Sequence, residues 1–206
     1  MNNRLVNPDR LRKVKENQPW MVSLISGKGG VGKSVIAFNL AMVAANAGQR
    51  CLLLDADWYF GNQHILANVI PEFTLADVID DYSAAKRAVI SINNNLHLIA
   101  SPAAGKNQPE FVIKSFASLM ANLRRIFDKY DFIIVDTPSG IVDLINLTSN
   151  ASDMNLIVLI PELTSIADSF GLFKYLVKSN SRIAAHILSN RVQNRGEYEY
   201  IYQKLV

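Results

Sequence analysis

The chain has 206 residues, of which 50% are hydrophobic and 19% are charged, and its formal net charge is +3. These values exclude a disordered chain, and no apolar run reaches the length of a transmembrane helix, so one α/β domain with a large core is expected. Because Cys51 is the single cysteine and no export leader begins the chain, we expect a cytoplasmic protein without disulfide bonds.

The first predicted unit is a basic N-terminal arm at residues 1–19. Its first 15 residues contain five Lys or Arg residues against one Asp. Asn7 can cap a helix that has Pro8 in its first position, so we predict a short basic helix over residues 7–16. Such an arm is typical of a solvated surface, a docking segment, or a contact with lipid headgroups or nucleic acid. Residues 20–206 are predicted to form the folded domain.

From residue 20 onwards, short apolar strands alternate with longer helical segments. The predicted strands lie at residues 21–26, 51–55, 96–100, 132–136, 156–160 and 183–189. The predicted helices lie at residues 33–47, 109–129, 164–179 and 196–206, with shorter ones within 62–90 and 141–151. This alternation predicts an α/β fold: a mainly parallel, twisted sheet with helices on both faces, in three layers. The helix at 33–47 is apolar nearly all round, so we expect it to be buried.

The stretch SGKGGVGKS at residues 26–34 closes the first strand and opens a helix. From Gly27 to Ser34 it satisfies G-x-x-x-x-G-K-[ST], in which backbone N–H groups and a lysine hold phosphates and the hydroxyl ligates Mg²⁺. Its glycines also satisfy the G-x-G-x-x-G of dinucleotide-binding folds, with Asp55 at about the required 20 residues further on. The lysine and hydroxyl favour the first interpretation, because a dinucleotide turn offers bare backbone. We therefore predict a P-loop NTPase fold.

Three carboxylates follow predicted strands, at the edge where open α/β sheets bind ligands. Asp136 ends the run FIIV and resembles the carboxylate of a Walker B strand, which holds a metal ion through water. Asp55 and Asp57 come directly after the second strand, where an Asx-capped turn is the alternative interpretation. Together with the P-loop, these residues predict a nucleotide site that contains magnesium.

These motifs resemble the MinD/ParA family of ATPases. The segments that carry the resemblance are KGGVGKS at residues 28–34, DAD at 55–57, DTPSGI at 136–141 and PELTSIAD at 161–168. Lys28 is similar to the extra lysine of the family's deviant Walker A loop, and Asn62 belongs to a segment similar to its first switch. The last segment is most similar to the FlhG (YlxH/FleN) group of flagellar-number regulators.

The resemblance implies an ATP-dependent homodimer that hydrolyses ATP slowly, with ATP and Mg²⁺ as cofactors. Three residues are implied to be catalytic: Lys33 at the β- and γ-phosphates, Lys28 at the nucleotide of a partner subunit, and Asp57 at the attacking water. The implied metal-supporting residues are Ser34, Asp55 and Asp136. The implied nucleotide-binding residues are Gly27, Lys28, Gly29, Gly30, Val31, Gly32, Lys33, Ser34, Val35, Asn62 and, at the adenine, Asn190.

The implied role is to control the placement or number of a cellular structure, flagella above all. The implied partners are the GTPase FlhF or a flagellar switch-complex protein, with peripheral contact at the inner membrane. Two alternatives stay open: a ParA-type ATPase that partitions DNA, and a non-catalytic scaffold like the TadZ/CpaE pilus-positioning proteins. DNA is less favoured because no basic patch follows the arm, and the presence of Lys28, Lys33 and Asp57 argues against lost catalysis.

The chain departs from its relatives at three places. Val35 stands where many of them have a second hydroxyl residue, and Trp58-Tyr59-Phe60 replaces a small, glycine-containing stretch. Relatives also continue beyond the length of this chain, so we expect the last part of the family domain to be missing.

The final predicted helix has a stripe that could face a membrane, formed by Tyr198, Ile201, Tyr202 and Leu205. We favour the alternative, a helix that covers the sheet, because few basic residues accompany the stripe.

Overall fold

The computed structural model describes residues 18–102, 109–180 and 183–205, with residues 109–112 described by their backbone only. Most of the predicted basic arm, including its helix at residues 7–16, lies outside the described residues.

A seven-stranded sheet forms the centre of the described chain. Its strands are β1 (Trp20–Ile25), β2 (Cys51–Asp55), β3 (Ile90–Ser91), β4 (Leu96–Ile99), β5 (Phe132–Asp136), β6 (Met154–Leu159) and β7 (Ala185–Ser189). The order across the sheet is β3-β4-β2-β5-β1-β6-β7. Five neighbouring pairs are parallel, and β3 runs antiparallel to β4. The sequence analysis missed β3, because an edge strand of two residues leaves no periodicity to detect.

Helices connect these strands on both faces of the sheet. They are α1 (Lys33–Asn46), α2 (Gln63–Leu66), α3 (Leu75–Asp80), α4 (Ala85–Ala88), α5 (Pro109–Ile126), α6 (Val142–Ala151), α7 (Leu163–Ser179) and α8 (Arg195–Leu205). Helix α3 begins after Thr74 because a capping box stabilises its first turn, in which the Thr74 backbone N–H donates to Asp77 Oδ2 at 2.7 Å. The predicted fold class, a three-layer, mainly parallel α/β fold, is confirmed.

Strand β2 shows how both faces of the sheet become buried. Leu52 and Leu54 belong to a core cluster with residues of α5, whereas Cys51 and Leu53 belong to a cluster with residues of α1. All four side chains are fully buried, as the alternation of side chains along a strand requires. Burial raises the pKa of the Cys51 thiol to about 12, so this cysteine is a core residue and not a nucleophile.

Helix α1 is buried on one side only, contrary to our expectation from its apolar sequence. Ala37, Ala41 and Ala45 are buried among the core residues of the sheet. On the opposite side, Val35 is 51% exposed and Val43 is 65% exposed. The physical reason is position: α1 belongs to an outer layer, and a single stripe at i, i+4, i+8 suffices to cover the sheet.

Helix α8 divides the predicted aromatic stripe between core and surface. Ile201 is buried in a cluster with Leu159 and Ile166. Tyr198 and Tyr202 are exposed, and their rings stack with centroids 6.5 Å apart. The helix therefore packs on α7 and β6 through Ile201, as favoured above, while the tyrosines remain on the surface. Across the described ranges, no helix is both long enough and apolar enough to span a bilayer.

The parallel strands bring the predicted motifs to one edge of the sheet. In the register of the sheet, Asp136 lies opposite Asp55 on β2 and opposite Leu24 on β1. Because β1 leads directly into the glycine-rich loop, the loop and both carboxylates meet at the carboxyl ends of three adjacent strands.

Candidate functional site

The glycine-rich loop forms one wall of an open cavity of about 520 Å³, in which residues 29–35 are lining residues. Gly30 (φ +76°) and Gly32 (φ +92°) adopt the left-handed conformation that other residues rarely take. Gly32 is the N-cap of α1 and its carbonyl accepts from the Ile36 N–H at 3.0 Å. The first N–H groups of α1 therefore point into the loop without partners in the helix, an arrangement that binds anions.

Lys33 joins the loop to the end of β5. Its Nζ donates to Asp136 Oδ1 at 2.6 Å and to the carbonyl of Thr137. The two charged side chains are 5% and 1% exposed, so the ion pair is buried. The Thr137 hydroxyl in turn donates to the Leu24 carbonyl at 2.7 Å, which ties the end of β5 to β1. A phosphate that enters the cavity must compete with Asp136 for the lysine.

The two carboxylates after β2 occupy different environments. Asp55 is fully buried, and its oxygens accept from the backbone N–H groups of Asp57 at 3.2 Å and Gln63 at 3.0 Å. Burial and, secondly, the negative charge of Asp136 raise the pKa of Asp55 to about 7. Asp57 lines the cavity, and its pKa is also raised, chiefly by burial. Asp57 is therefore the carboxylate that can contact a ligand in the cavity directly.

The oxygen groups around the cavity fit a magnesium ion that arrives with phosphate. Ser34 lines the cavity, and the buried carboxylates Asp55 and Asp136 lie opposite each other at the ends of neighbouring strands. Magnesium prefers such oxygen ligands and is usually held by one or two carboxylates together with substrate phosphates. Over the described ranges, no three His, Cys, Asp or Glu residues gather into a ready-made metal site.

Two predicted nucleotide-binding residues support the loop from outside the cavity. Gly27 packs against α7: a Cβ atom added to it would lie 2.4 Å from the Asp168 carbonyl carbon. The Asn190 amide donates to the Val31 carbonyl at 2.8 Å and lies close to Gly32. In this structure Asn190 therefore holds the loop, and its predicted contact with adenine stays a prediction. Asn62, in contrast, lines the cavity.

Lys28 belongs to the loop, and its side chain is partly exposed. Its Nζ donates to Glu162 Oε2 at 2.6 Å and to the Thr164 hydroxyl at 3.0 Å. Both partners belong to the predicted segment at 161–168, which the fold places next to the loop. Lys28 thus binds its own chain in this structure, and its role at a partner's nucleotide stays a prediction.

Gln63 is a site residue that the sequence analysis missed. Its Nε2 donates to Asp136 Oδ2 at 2.8 Å and to the Ser34 carbonyl at 3.0 Å. Its Oε1 is buried and has no hydrogen-bond partner among the described residues. Asn62, directly before it, was the nearest signal in the sequence, but no motif spacing points to the glutamine itself.

Comparison with known proteins decides the family. Residues 20–187 match the family described as an AAA domain. The chain belongs to the MinD/ParA family of P-loop ATPases. The solved structure of MinD from Pyrococcus horikoshii, in complex with Mg-ADP, has a TM-score of 0.76 with 23% identity, over 91% of this chain and 77% of that chain. This MinD/ParA chain therefore shares the MinD fold.

Two relatives carry flagellar names. The antiactivator FleN of Pseudomonas aeruginosa is 29% identical over 90% of this chain and 66% of FleN. The flagellum site-determining protein YlxH of Helicobacter pylori is 25% identical over 100% of this chain and 72% of YlxH. The chain thus spans slightly less than two thirds of FleN.

Proposed function

We propose that this MinD/ParA chain is an ATP-binding dimerisation switch that hydrolyses ATP slowly. The observation that carries the proposal is that Lys33 and Asp57 line one cavity beside the glycine-rich loop, while Asp136 is bound to Lys33. Phosphoryl transfer depends mostly on positioning and charge neutralisation, and these residues supply a phosphate cradle, a cation and carboxylates.

Lys33 would exchange its present partner for phosphate oxygens. Its buried bond to Asp136 keeps the lysine in the cavity and keeps a negative charge paired until ligand arrives. After the exchange, Asp136 would be free to face a hydrated magnesium ion held by Ser34. Magnesium bound there would neutralise charge on the phosphate oxygens. Asp57, on the cavity wall, would then orient the attacking water.

Lys28 would leave Glu162 to reach the nucleotide of a second subunit. The Lys28 and Glu162 side chains are 35% and 54% exposed, and such exposed pairs contribute only about 0–1 kcal/mol. Breaking this pair therefore costs little compared with contacts to phosphate. A lysine supplied by a partner acts as an arginine finger does, so activity would depend on dimerisation.

The first experiment tests nucleotide binding and turnover. Lys33→Ala is expected to abolish ATP binding, and unchanged affinity would defeat the P-loop assignment. Asp57→Ala is expected to retain ATP, stop turnover and accumulate as dimer in sedimentation. A monomeric and fully active Asp57→Ala variant would defeat the switch mechanism.

A mixing experiment tests the role of Lys28 across the dimer. Lys28→Ala and Asp57→Ala should each be inactive alone. Mixed in equal amounts, they form heterodimers in which one site keeps its own Asp57 and receives the partner's Lys28. Random pairing then restores about one quarter of wild-type turnover. No recovery of turnover would show that Lys28 acts on its own nucleotide. The matched control for Lys28→Ala is Lys178→Ala, which removes an exposed lysine of α7.

The cellular role that we propose is control of flagellar placement or number. The names of FleN and YlxH support this role. The partner would then be FlhF or a switch-complex protein, and the chain would contact the membrane peripherally. The second candidate, DNA partitioning, is favoured by one observation, the five basic residues among the first 15. ATP turnover measured with anionic vesicles and with DNA separates the two, since DNA binding should weaken steeply with salt.

A further inference from the structure

We propose that Gln63 is a positioning residue: it holds Asp136 in place for the metal ion when Lys33 turns to phosphate. The inference rests on the proposed nucleotide function and deepens it. It assigns a role to a side chain that no motif in the sequence identifies.

The contacts of Gln63 connect three elements of the site. Its side-chain amide binds Asp136 at the end of β5 and the Ser34 carbonyl in α1, at 2.8 and 3.0 Å. Its backbone N–H binds Asp55 Oδ2, at the end of β2, at 3.0 Å. The residue is fully buried. A single glutamine therefore connects both carboxylates to the helix that carries the proposed magnesium-ligating hydroxyl.

The charges explain why a neutral amide is useful at this position. Asp136 is 1% exposed, and Lys33 and Gln63 each hold one of its oxygens. When Lys33 moves to phosphate, Oδ1 loses its cation, and a buried carboxylate without partners is costly. Gln63 carries no charge that phosphate could attract, so its amide can stay on Oδ2. It thereby keeps the carboxylate from rotating while Oδ1 becomes available.

The unpaired oxygen of Gln63 is a second, independent observation. Its Oε1 is buried without a hydrogen-bond partner among the described residues, although buried polar atoms nearly always have one. The two bonds donated by Nε2 fix the orientation of the amide. A water bound to magnesium is a strong hydrogen-bond donor, and Oε1 would accept a hydrogen bond from a group of this kind. Partners of this kind around a metal ion typically change its affinity by about 10–100-fold.

The test measures the affinity for a fluorescent ADP with and without Mg²⁺. In Gln63→Met, which keeps the length of the side chain but loses the amide, affinity in EDTA should stay within about twofold of wild type. The gain in affinity on adding Mg²⁺ should fall by about tenfold. Gln63→Asn keeps an amide that is one methylene too short to reach Asp136, and it carries the same expectation. Ile65→Ala, at an exposed position of the same helix, should change neither value.

A double-mutant cycle tests whether Gln63 acts through Asp136. If it does, Gln63→Met combined with Asp136→Asn should respond to Mg²⁺ as Asp136→Asn alone does. Additive losses would overturn the proposal, and so would an unchanged Mg²⁺ gain in Gln63→Met. An equal loss with and without Mg²⁺ would show a purely structural role and overturn it too. If wild-type protein bound no nucleotide under any condition, the proposed function itself would have failed.

Discussion

Replacing Gly27 by alanine should destabilise the domain because the loop lies directly against α7. A Cβ atom at this position would lie 2.4 Å from the Asp168 carbonyl carbon, 2.5 Å from its oxygen and 2.6 Å from the Ser169 nitrogen. Ordinary contacts begin at 3.4 Å, so the loop and the helix must separate by about 1 Å. Helix α7 cannot yield freely, since its buried residues Ile166, Leu172 and Leu176 pack in the core.

The free-energy cost of Gly27→Ala is taken from the range known for overpacked protein interiors. Forcing extra atoms into a packed interior costs about 1–3 kcal/mol. A domain of this size loses about 2–4 °C of Tm per kcal/mol, so Gly27→Ala should melt about 2–12 °C below wild type. Because a displacement near 1 Å can reduce catalysis by about 100-fold, ATP turnover should fall as well. Calorimetry and a steady-state ATPase assay measure the two effects.

Gly29→Ala is the matched control within the same loop. A Cβ atom on Gly29 meets no atom within 4 Å, so its Tm should differ from wild type by no more than about 2 °C. Equal melting temperatures for the two variants would refute the packing of the loop against α7. A Gly27→Ala variant as stable as wild type would do the same.

Three further predictions concern two buried charged residues and one exposed glycine of α7. Lys33→Met leaves Asp136 without its cation, and because breaking a buried pair costs about 3–5 kcal/mol, the urea midpoint should fall; an unchanged midpoint would contradict the buried pair. Asp55 has a pKa of about 7 in the folded chain against 3.8 as the ordinary value, so the folded state keeps a proton that the unfolded state has released. Stability from this group is complete below about pH 4 and is lost as pH rises to about 7. Between pH 5 and 7 the loss is about 2–3 kcal/mol by linkage. Urea titrations in EDTA should show this slope in wild type and not in Asp55→Asn, and equal slopes would count against the buried carboxyl. Gly171→Ala, inside α7 with no atom within 4 Å of the added Cβ, should raise the free energy of unfolding by about 0.5–1 kcal/mol, and a lower denaturant midpoint would be the contrary result.

Sequence alone was enough for the features that neighbouring residues encode. The strand that ends at Asp136 is a continuous apolar run, and the loop from Gly27 to Ser34 is a fixed spacing of glycines, lysine and hydroxyl. Parallel strands of this kind end at one edge of a sheet, so the meeting of the loop with Asp55 and Asp136 was also predictable. The resemblance to the MinD/ParA family also rested on short local motifs, and the family and its fold are both confirmed.

Only the tertiary structure decided which groups touch. Asn190 contacts the Val31 carbonyl across 159 residues of chain, and Gln63 contacts Asp136 across 73. The sequence could not reveal these contacts, because they depend on the strand order and on the path of an irregular loop after β2. The same holds for Asp55, whose burial raises its pKa to about 7. Residue types and their spacing determine local structure and the kinds of chemical group available. The burial of those groups and their contact partners, which set charge and reactivity, arise only when distant segments pack together.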